Sequence, residues 1–226
     1  MHTVIEHSYE SLQAVLKEAK EGELLFTVLF SGYRLQFRSF HLYEDIGRLS
    51  TWLNTVAARK FWDENNSIEH LSQLYSGIMQ NPQAISLIAS LNDEPVCLID
   101  VYLVLQDELS LYTDAGPNDP GIHFLMAPAN KKIQNLSVCC MQQCLQFLFS
   151  FKEVEIIYGE PDSNNVKANA LVQKAGFTFL KQQSLSYKQA NIYTCTKAVF
   201  SQQMLYSLNE GIRGFQFPPR QTRSWE

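Results

Sequence analysis

Gly121-Ile122-His123-Phe124-Leu125-Met126 is a short apolar run interrupted by one histidine. Further on, Glu155-Ile156-Ile157-Tyr158 has the same character and leads into Gly159-Glu160-Pro161-Asp162. Nearly continuous apolar runs of this length read as strands covered on both faces. The segment between them, from about Asn135 to Phe149, carries a helical pattern. A helix that joins two strands of one sheet forces them to lie parallel. The His123 strand is therefore predicted beside the strand leading to Asp162, at the centre of the sheet. In open α/β sheets, ligands bind at the C-terminal ends of such strands.

Upstream, Ala84 to Leu91, Val96 to Val104 and Leu109 to Thr113 read as three strands in hairpin order. Asn92-Asp93, Gln106-Asp107 and the cluster from Ala115 to Pro120 separate them as turns. Helical stretches precede these strands at Asp45 to Asn54, Ala57 to Trp62, and from Ser67 through Leu71, Leu74 and Ile78. The N-terminus offers a Ser8-capped helix, then a hairpin of Leu24 to Phe30 and Tyr33 onward around Ser31-Gly32. Downstream, Asp162-Ser163-Asn164-Asn165 opens a helix that stops at Ala175-Gly176. Strands at Phe177 to Gln183 and Asn191 to Val199 follow, and pattern is lost after Gly211. The expected class is α/β, a mixed sheet with helices on its faces.

The 226 residues are 46% apolar and only 18% charged, with a net charge of −5. A disordered chain is excluded, and a dedicated nucleic-acid binder, which would usually be basic, is disfavoured. No apolar run approaches the roughly 20 residues that cross a bilayer, and the first residues lack a leader pattern. Cys97, Cys139, Cys140, Cys144 and Cys195 form no Cys-x-x-Cys pair, so no metal site is expected from them. Cys140 and Cys144 read as core residues. A reduced, cytoplasmic setting is the simplest expectation.

His123 and the acids around Asp162 could form a proton-transfer pair. The same spacing also fits a hydrogen-bonded core histidine and a helix-capping aspartate, and both readings stay open at this point. The loop from Pro128 to Ser137 precedes a helix N-terminus, where free amides can hold phosphate, and Lys131 and Lys132 add charge. It contains no glycine, and a solvated loop fits it equally. Trp52, Phe61 and Trp62 fit either a pocket floor or the core.

Taken in order, several stretches resemble one family. They are Ser50-Thr51-Trp52-Leu53-Asn54 with Lys60-Phe61-Trp62, Asp100-Val101-Tyr102, Asp119-Pro120-Gly121-Ile122-His123, Gly159-Glu160-Pro161-Asp162, Asn165, Gly176-Phe177 and Lys188-Gln189-Ala190. This set is similar to the GNAT superfamily of acyl-CoA-dependent N-acyltransferases. More narrowly, it resembles the branch that acylates N-hydroxylated amines in hydroxamate siderophore synthesis. Asp100 stands where that branch has Glu. The superfamily's glycine-bearing pyrophosphate loop is matched here by Lys132 to Ser137, with both glycines replaced.

The resemblance implies a GNAT-like sheet over residues 38–200, an N-terminal helix and hairpin extension at 1–37 packed on it, and a tail at 201–226. It implies acetyl-CoA as co-substrate, held by Leu125, Met126, Lys132, Asn135, Leu136, Ser137 and Asn165, with no metal. His123 and Asp162 are the implied base and orienting pair. Trp52, Asp100, Tyr102, Asp119, Glu160 and Lys188 are the implied contacts to a small N-hydroxylated diamine or N-hydroxylysine. Neither a nucleic acid nor a membrane is an expected partner, and a homodimer is the arrangement against which the tail could order. An ordinary amine acceptor and a catalytically degenerate acyl-CoA-binding module are the rival expectations.

Overall fold

The computed structural model describes residues 2–4, 9–30, 33–62, 66–128 and 133–209. Its centre is an antiparallel meander of β4 (Ala84–Leu91), β5 (Glu94–Leu103) and β6 (Pro120–Met126). Helix α4 (Leu136–Ser150) then carries the chain across to β7 (Ile156–Gly159), parallel to β6 as the two apolar runs require. This pairing is confined to Gly121↔Tyr158, so the two strands diverge beyond it.

On the other side, β3 (Tyr33–Ser39) adds the N-terminal strands β2 (Leu24–Phe30) and β1 (His2–Val4) to β4. The 37/38 boundary thus falls inside a strand of the main sheet. Beyond β7 lie β9 (Gln189–Thr196) and then β8 (Thr178–Ser184), giving the order β1-β2-β3-β4-β5-β6-β7-β9-β8.

Strand alternation sends Leu87, Ile99, Val101 and Ile122 to one face, where α1 (Leu12–Glu18) and α4 bury them. Phe26 stacks between Phe37 and Phe147 there, at 4.2 and 4.4 Å between ring centroids. The other face presents Ile88, Leu98 and Leu125 to α2 (Leu42–Leu53) and α3 (Ile68–Gln80). Ser67 caps α3 by accepting from the His70 amide. Arg38 of β3 grips the fully buried Asp45 of α2 with two bonds of 2.6 and 2.7 Å, fixing that helix to the sheet.

Several sequence readings are corrected. Leu109 to Thr113 is no strand but part of a 3-10 helix over Glu108–Tyr112, because Asp107 accepts from the Leu109 amide and closes the turn. Ala57 to Trp62 contains only a 3-10 turn at Ala58–Lys60. The N-terminal helix is capped by Ser11, whose hydroxyl accepts from the Ala14 amide; Ser8 lies outside the described residues, as does the Ser31-Gly32 turn. The last strand stops at Thr196 and passes directly into α6 (Lys197–Asn209). Helix α5 (Val166–Ala175) leads from β7 to β8, yet those strands do not touch, because β9 pairs antiparallel with both.

Gly121 owes its identity to a close approach. A Cβ there would lie 2.3 Å from the ring of Tyr102, its cross-strand partner. Gly121→Ala should destabilise the fold by about 1–3 kcal/mol, the usual cost of overpacking. Urea unfolding beside the mild control Gly77→Ala, whose added Cβ meets nothing within 4 Å, would measure it.

Candidate active site

The empty space beside Gly121 lets Tyr102 cross from β5 to the strand end after β7. Its hydroxyl donates to Oε2 of Glu160 at 3.0 Å. His123 Nε2 meets Oε1 of the same carboxylate at 2.7 Å, and Lys188 Nζ lies 3.6 Å from it. Glu160 is wholly buried, whereas the imidazole is 36% exposed and so remains open to a ligand. The Tyr102 ring lies 5.0 Å from the imidazole, and Trp62 presents its edge at 6.4 Å. Among the described residues, Nδ1 of His123 has no partner.

Burial alone would lower the pKa of His123, but the Glu160 carboxylate beside it and the more distant Asp100 raise it overall. Burial would likewise raise Glu160, and the imidazolium, Lys188 and the Tyr102 hydroxyl more than reverse this, leaving it well below the ordinary carboxylate range. The pair therefore favours a carboxylate facing a readily protonated imidazole.

His123, Glu160, Lys188 and Trp62 line a cleft of about 680 Å³ that opens where β6 and β7 diverge. Ile122, Phe124, Met141, Leu171 and Val172 form its apolar wall. Lys60, Phe61, Trp62 and Tyr187 border it on another side.

The structure sorts the sequence candidates. His123, Glu160, Asp162, Asn165 and Lys188 line the cleft together. Glu160, and not Asp162, is the side chain that meets His123; Asp162 spends Oδ1 on the Asn164 amide at 2.7 Å. Asn165 caps α5 by accepting from the Ala168 amide. Asp119 faces inward and accepts from the Gly116 and Ile156 amides, so both its oxygens are spent on backbone amides. Trp52 lies in the core between α2 and the sheet, and Trp62 takes the place at the cleft. Asp100 is buried beneath the site, bound to Ser86 and Tyr75. Tyr102 reaches the site through Glu160.

Leu125 packs toward α2 and α3, while Met126 packs against the opposite core. Asn135, Leu136 and Ser137 form the start of α4, where Asn135 adopts φ 60°, a left-handed conformation that Asn tolerates better than most residues. Lys132 lies outside the described residues. Sequence reasoning did not single out Tyr187, Met141, Leu171 or Val172. The last three follow helical spacing that also fits plain core.

A family model described as an acetyltransferase (GNAT) domain matches residues 41–185. The chain belongs to this GNAT acetyltransferase family. It is similar to the N(6)-hydroxylysine O-acetyltransferase of Escherichia coli, 21% identical over 159 residues, covering 70% of this chain and 50% of that protein. The N-hydroxyputrescine acetyltransferase of Acinetobacter baumannii is 23% identical over 172 residues, covering 74% of this chain and 79% of its own. The chain thus spans half the length of the first relative and more of the second. Among solved structures, aminoglycoside acetyltransferase AAC(6')-Ib with coenzyme A and kanamycin superposes with a TM-score of 0.68 at 23% identity, covering 75% of this chain and 99% of that one. That likeness establishes the shared fold.

GNAT domains take their acetyl group from acetyl-CoA, and the site fits such a molecule. The diverging strands give an apolar-walled slot, and α4 begins just after β6 with first-turn amides suited to an anion. Asn135 supplies the positive φ at the helix start that a glycine would otherwise provide.

Glu160→Gln removes the nearest charge that favours the imidazolium, leaving burial opposed only by the more distant Asp100. The His123 midpoint, followed by imidazole nitrogen NMR, should fall in the variant. An unchanged midpoint would refute the pairing.

Proposed function

We propose that the protein transfers an acetyl group to the hydroxylamine nitrogen of a small N-hydroxylated diamine or N-hydroxylysine, giving a hydroxamate for siderophore biosynthesis. The observation that carries this reading is the charge of the cleft. Its described lining sets Lys60 and Lys188 against Glu160 and Asp162, with Phe61, Trp62 and Tyr187 between. Both oxygens of Glu160 are already engaged, and Asp162 has one oxygen committed. A polycationic aminoglycoside finds little unspent negative charge here, while a small acceptor with one charged end fits. The acceptors named for the Escherichia coli and Acinetobacter baumannii relatives, N(6)-hydroxylysine and N-hydroxyputrescine, support an N-hydroxylated acceptor.

Acetyl-CoA, when bound, supplies a thioester carbonyl activated toward attack. Met141, Leu171 and Val172 would hold its apolar arm, and Asn135, Leu136, Ser137 and Asn165 its polar parts. The Met126 amide, on the β7-facing edge of β6 past its one pairing with β7, would stabilise negative charge on the carbonyl oxygen, whereas register turns the Leu125 amide toward β5. A hydroxylamine nitrogen is weakly basic and largely neutral near pH 7, so it attacks without prior deprotonation. The proton it must then lose passes to Nδ1 of His123 as the new C–N bond forms, the thioester C–S bond breaks and coenzyme A leaves as its thiolate. Glu160 holds Nε2–H, fixes the tautomer and stabilises the imidazolium formed. Lys188 and Tyr102 hold Glu160 in place. Asp162 faces the acceptor from the other strand end.

Coenzyme A release should be measured with N-hydroxyputrescine, N-hydroxycadaverine and N(6)-hydroxylysine, each beside its parent amine and beside kanamycin. A clear preference for an N-hydroxylated acceptor at neutral pH is expected. Faster turnover of kanamycin or of a parent amine would overturn the assignment. His123→Ala should slow transfer by roughly 10²–10⁴-fold, the usual contribution of a general base. Wild-type turnover in a folded His123→Ala protein would remove the imidazole from the mechanism.

A further inference from the structure

Under His123, on the face covered by α2 and α3, lies a second carboxylate that the chemistry above leaves unused. Asp100 of β5 is the cross-strand partner of His123, and Ser86 of β4 is in turn the partner of Asp100. Residues directly opposite in an antiparallel pair share a face, with Cβ atoms about 4.5–5.5 Å apart. Asp100 is only 8% exposed and is not among the described residues lining the cleft. Ser86 donates to its Oδ1 at 2.6 Å and the Tyr75 hydroxyl donates to Oδ2 at 3.3 Å. Both donors are neutral, so neither cancels the charge of an ionised Asp100.

The charge count around the imidazole gives that carboxylate a purpose. The groups facing His123 are Glu160 after β7, Lys188 before β9, Asp100 and Tyr102 from β5, and the neutral Trp62. Tyr75 of α3 acts only through Asp100. Lys188 shares Glu160 with the imidazole and offsets its charge. Without Asp100, protonating His123 would leave a buried cluster with a net positive charge. With Asp100 ionised, protonation brings the cluster to neutrality, the cheaper state in a low dielectric.

We propose that Asp100 is a positioning residue for acyl transfer: an ionised carboxylate beneath His123 that stabilises the imidazolium formed when the base takes its proton, without touching the acceptor. This rests on the reading of His123 as the base. Burial outweighs the Ser86 hydroxyl, the imidazolium and the Tyr75 hydroxyl, and leaves the Asp100 carboxyl raised from its ordinary value. Asp100 need only remain ionised at working pH.

The test is Asp100→Asn, which keeps the shape and the oxygen that accepts from Ser86 while removing the charge. Losing an anion destabilises the imidazolium, so the base becomes available at lower pH. The His123 midpoint in the ligand-free protein, read by imidazole nitrogen NMR, should fall, and by less than in Glu160→Gln. The acidic limb of kcat/KM for the preferred acceptor should move the same way, with KM for that acceptor unchanged. An unmoved His123 midpoint would overturn the proposal. In the wild type, the Asp100 side-chain carbon shift should report an ionised carboxylate at pH 7, and a protonated acid there would overturn it without any variant. The NMR readings need no substrate. Failure of the proposed reaction, seen as full turnover by His123→Ala, is therefore distinguishable from failure of this charge assignment.

Discussion

A carboxylate taken out of water must be met by donors or cations, and Glu160 is met by three such groups. They arrive from three places: Tyr102 from β5, His123 from β6 and Lys188 from the turn before β9. Much of the local sequence follows from that convergence. Gly121 has no side chain because the Tyr102 ring occupies its space. The turn carrying Lys188 is held by Ser186, whose amide and hydroxyl both donate to Glu108 of the 3-10 helix after β5. Removing any donor leaves a buried charge short of a partner, which costs far more than an exposed pair would.

The protein contains a second carboxylate of this kind, and the contrast is instructive. Asp45 is as buried as Glu160 and is held by two cations, Arg38 and Arg48. Guanidinium groups do not lose their protons in proteins, so both cations of the Asp45 cluster stay charged, and the Arg38 pair ties β3 to α2. Around Glu160 one of the two cations is an imidazole. The same solution to burying a carboxylate becomes, with that one exchange, a group that can accept and return a proton near neutrality.

The elements that build the cleft were legible because their signals are local. Two apolar runs and a helical pattern between them specify β6, α4 and β7. Ser67 and Gly176 mark helix ends by capping chemistry that any reader of the sequence can apply. The failures have equally definite causes. Leu109-Ser110-Leu111 alternates like a strand, and only the Asp107 side chain, bonding back to the Leu109 amide, makes it helical. The insertion of β9 between β7 and β8 is a long-range fact that no local pattern carries. Glu160 and Asp162 are separated by one proline at the same strand end, so spacing alone cannot say which reaches His123. Asp119 has the look of a ligand residue, yet its oxygens are consumed by two backbone amides. The alignment of Asp100 with His123 depends on a strand register set by the whole meander.

The seam between β6 and β7 is held by one residue pair. Most strands here are bound to their neighbours by ladders; the three strands ending in β8 are joined to the rest mainly through this seam and the helices that bridge it. Backbone groups left without a strand partner seek others, and a molecule seated in the opening can provide them. Such a molecule is then a structural member as well as a reactant. Whatever free energy it contributes by binding the folded chain also shifts the folding equilibrium toward that chain. The durability of this protein in a cell is thereby coupled to the concentration of the small molecules it works on.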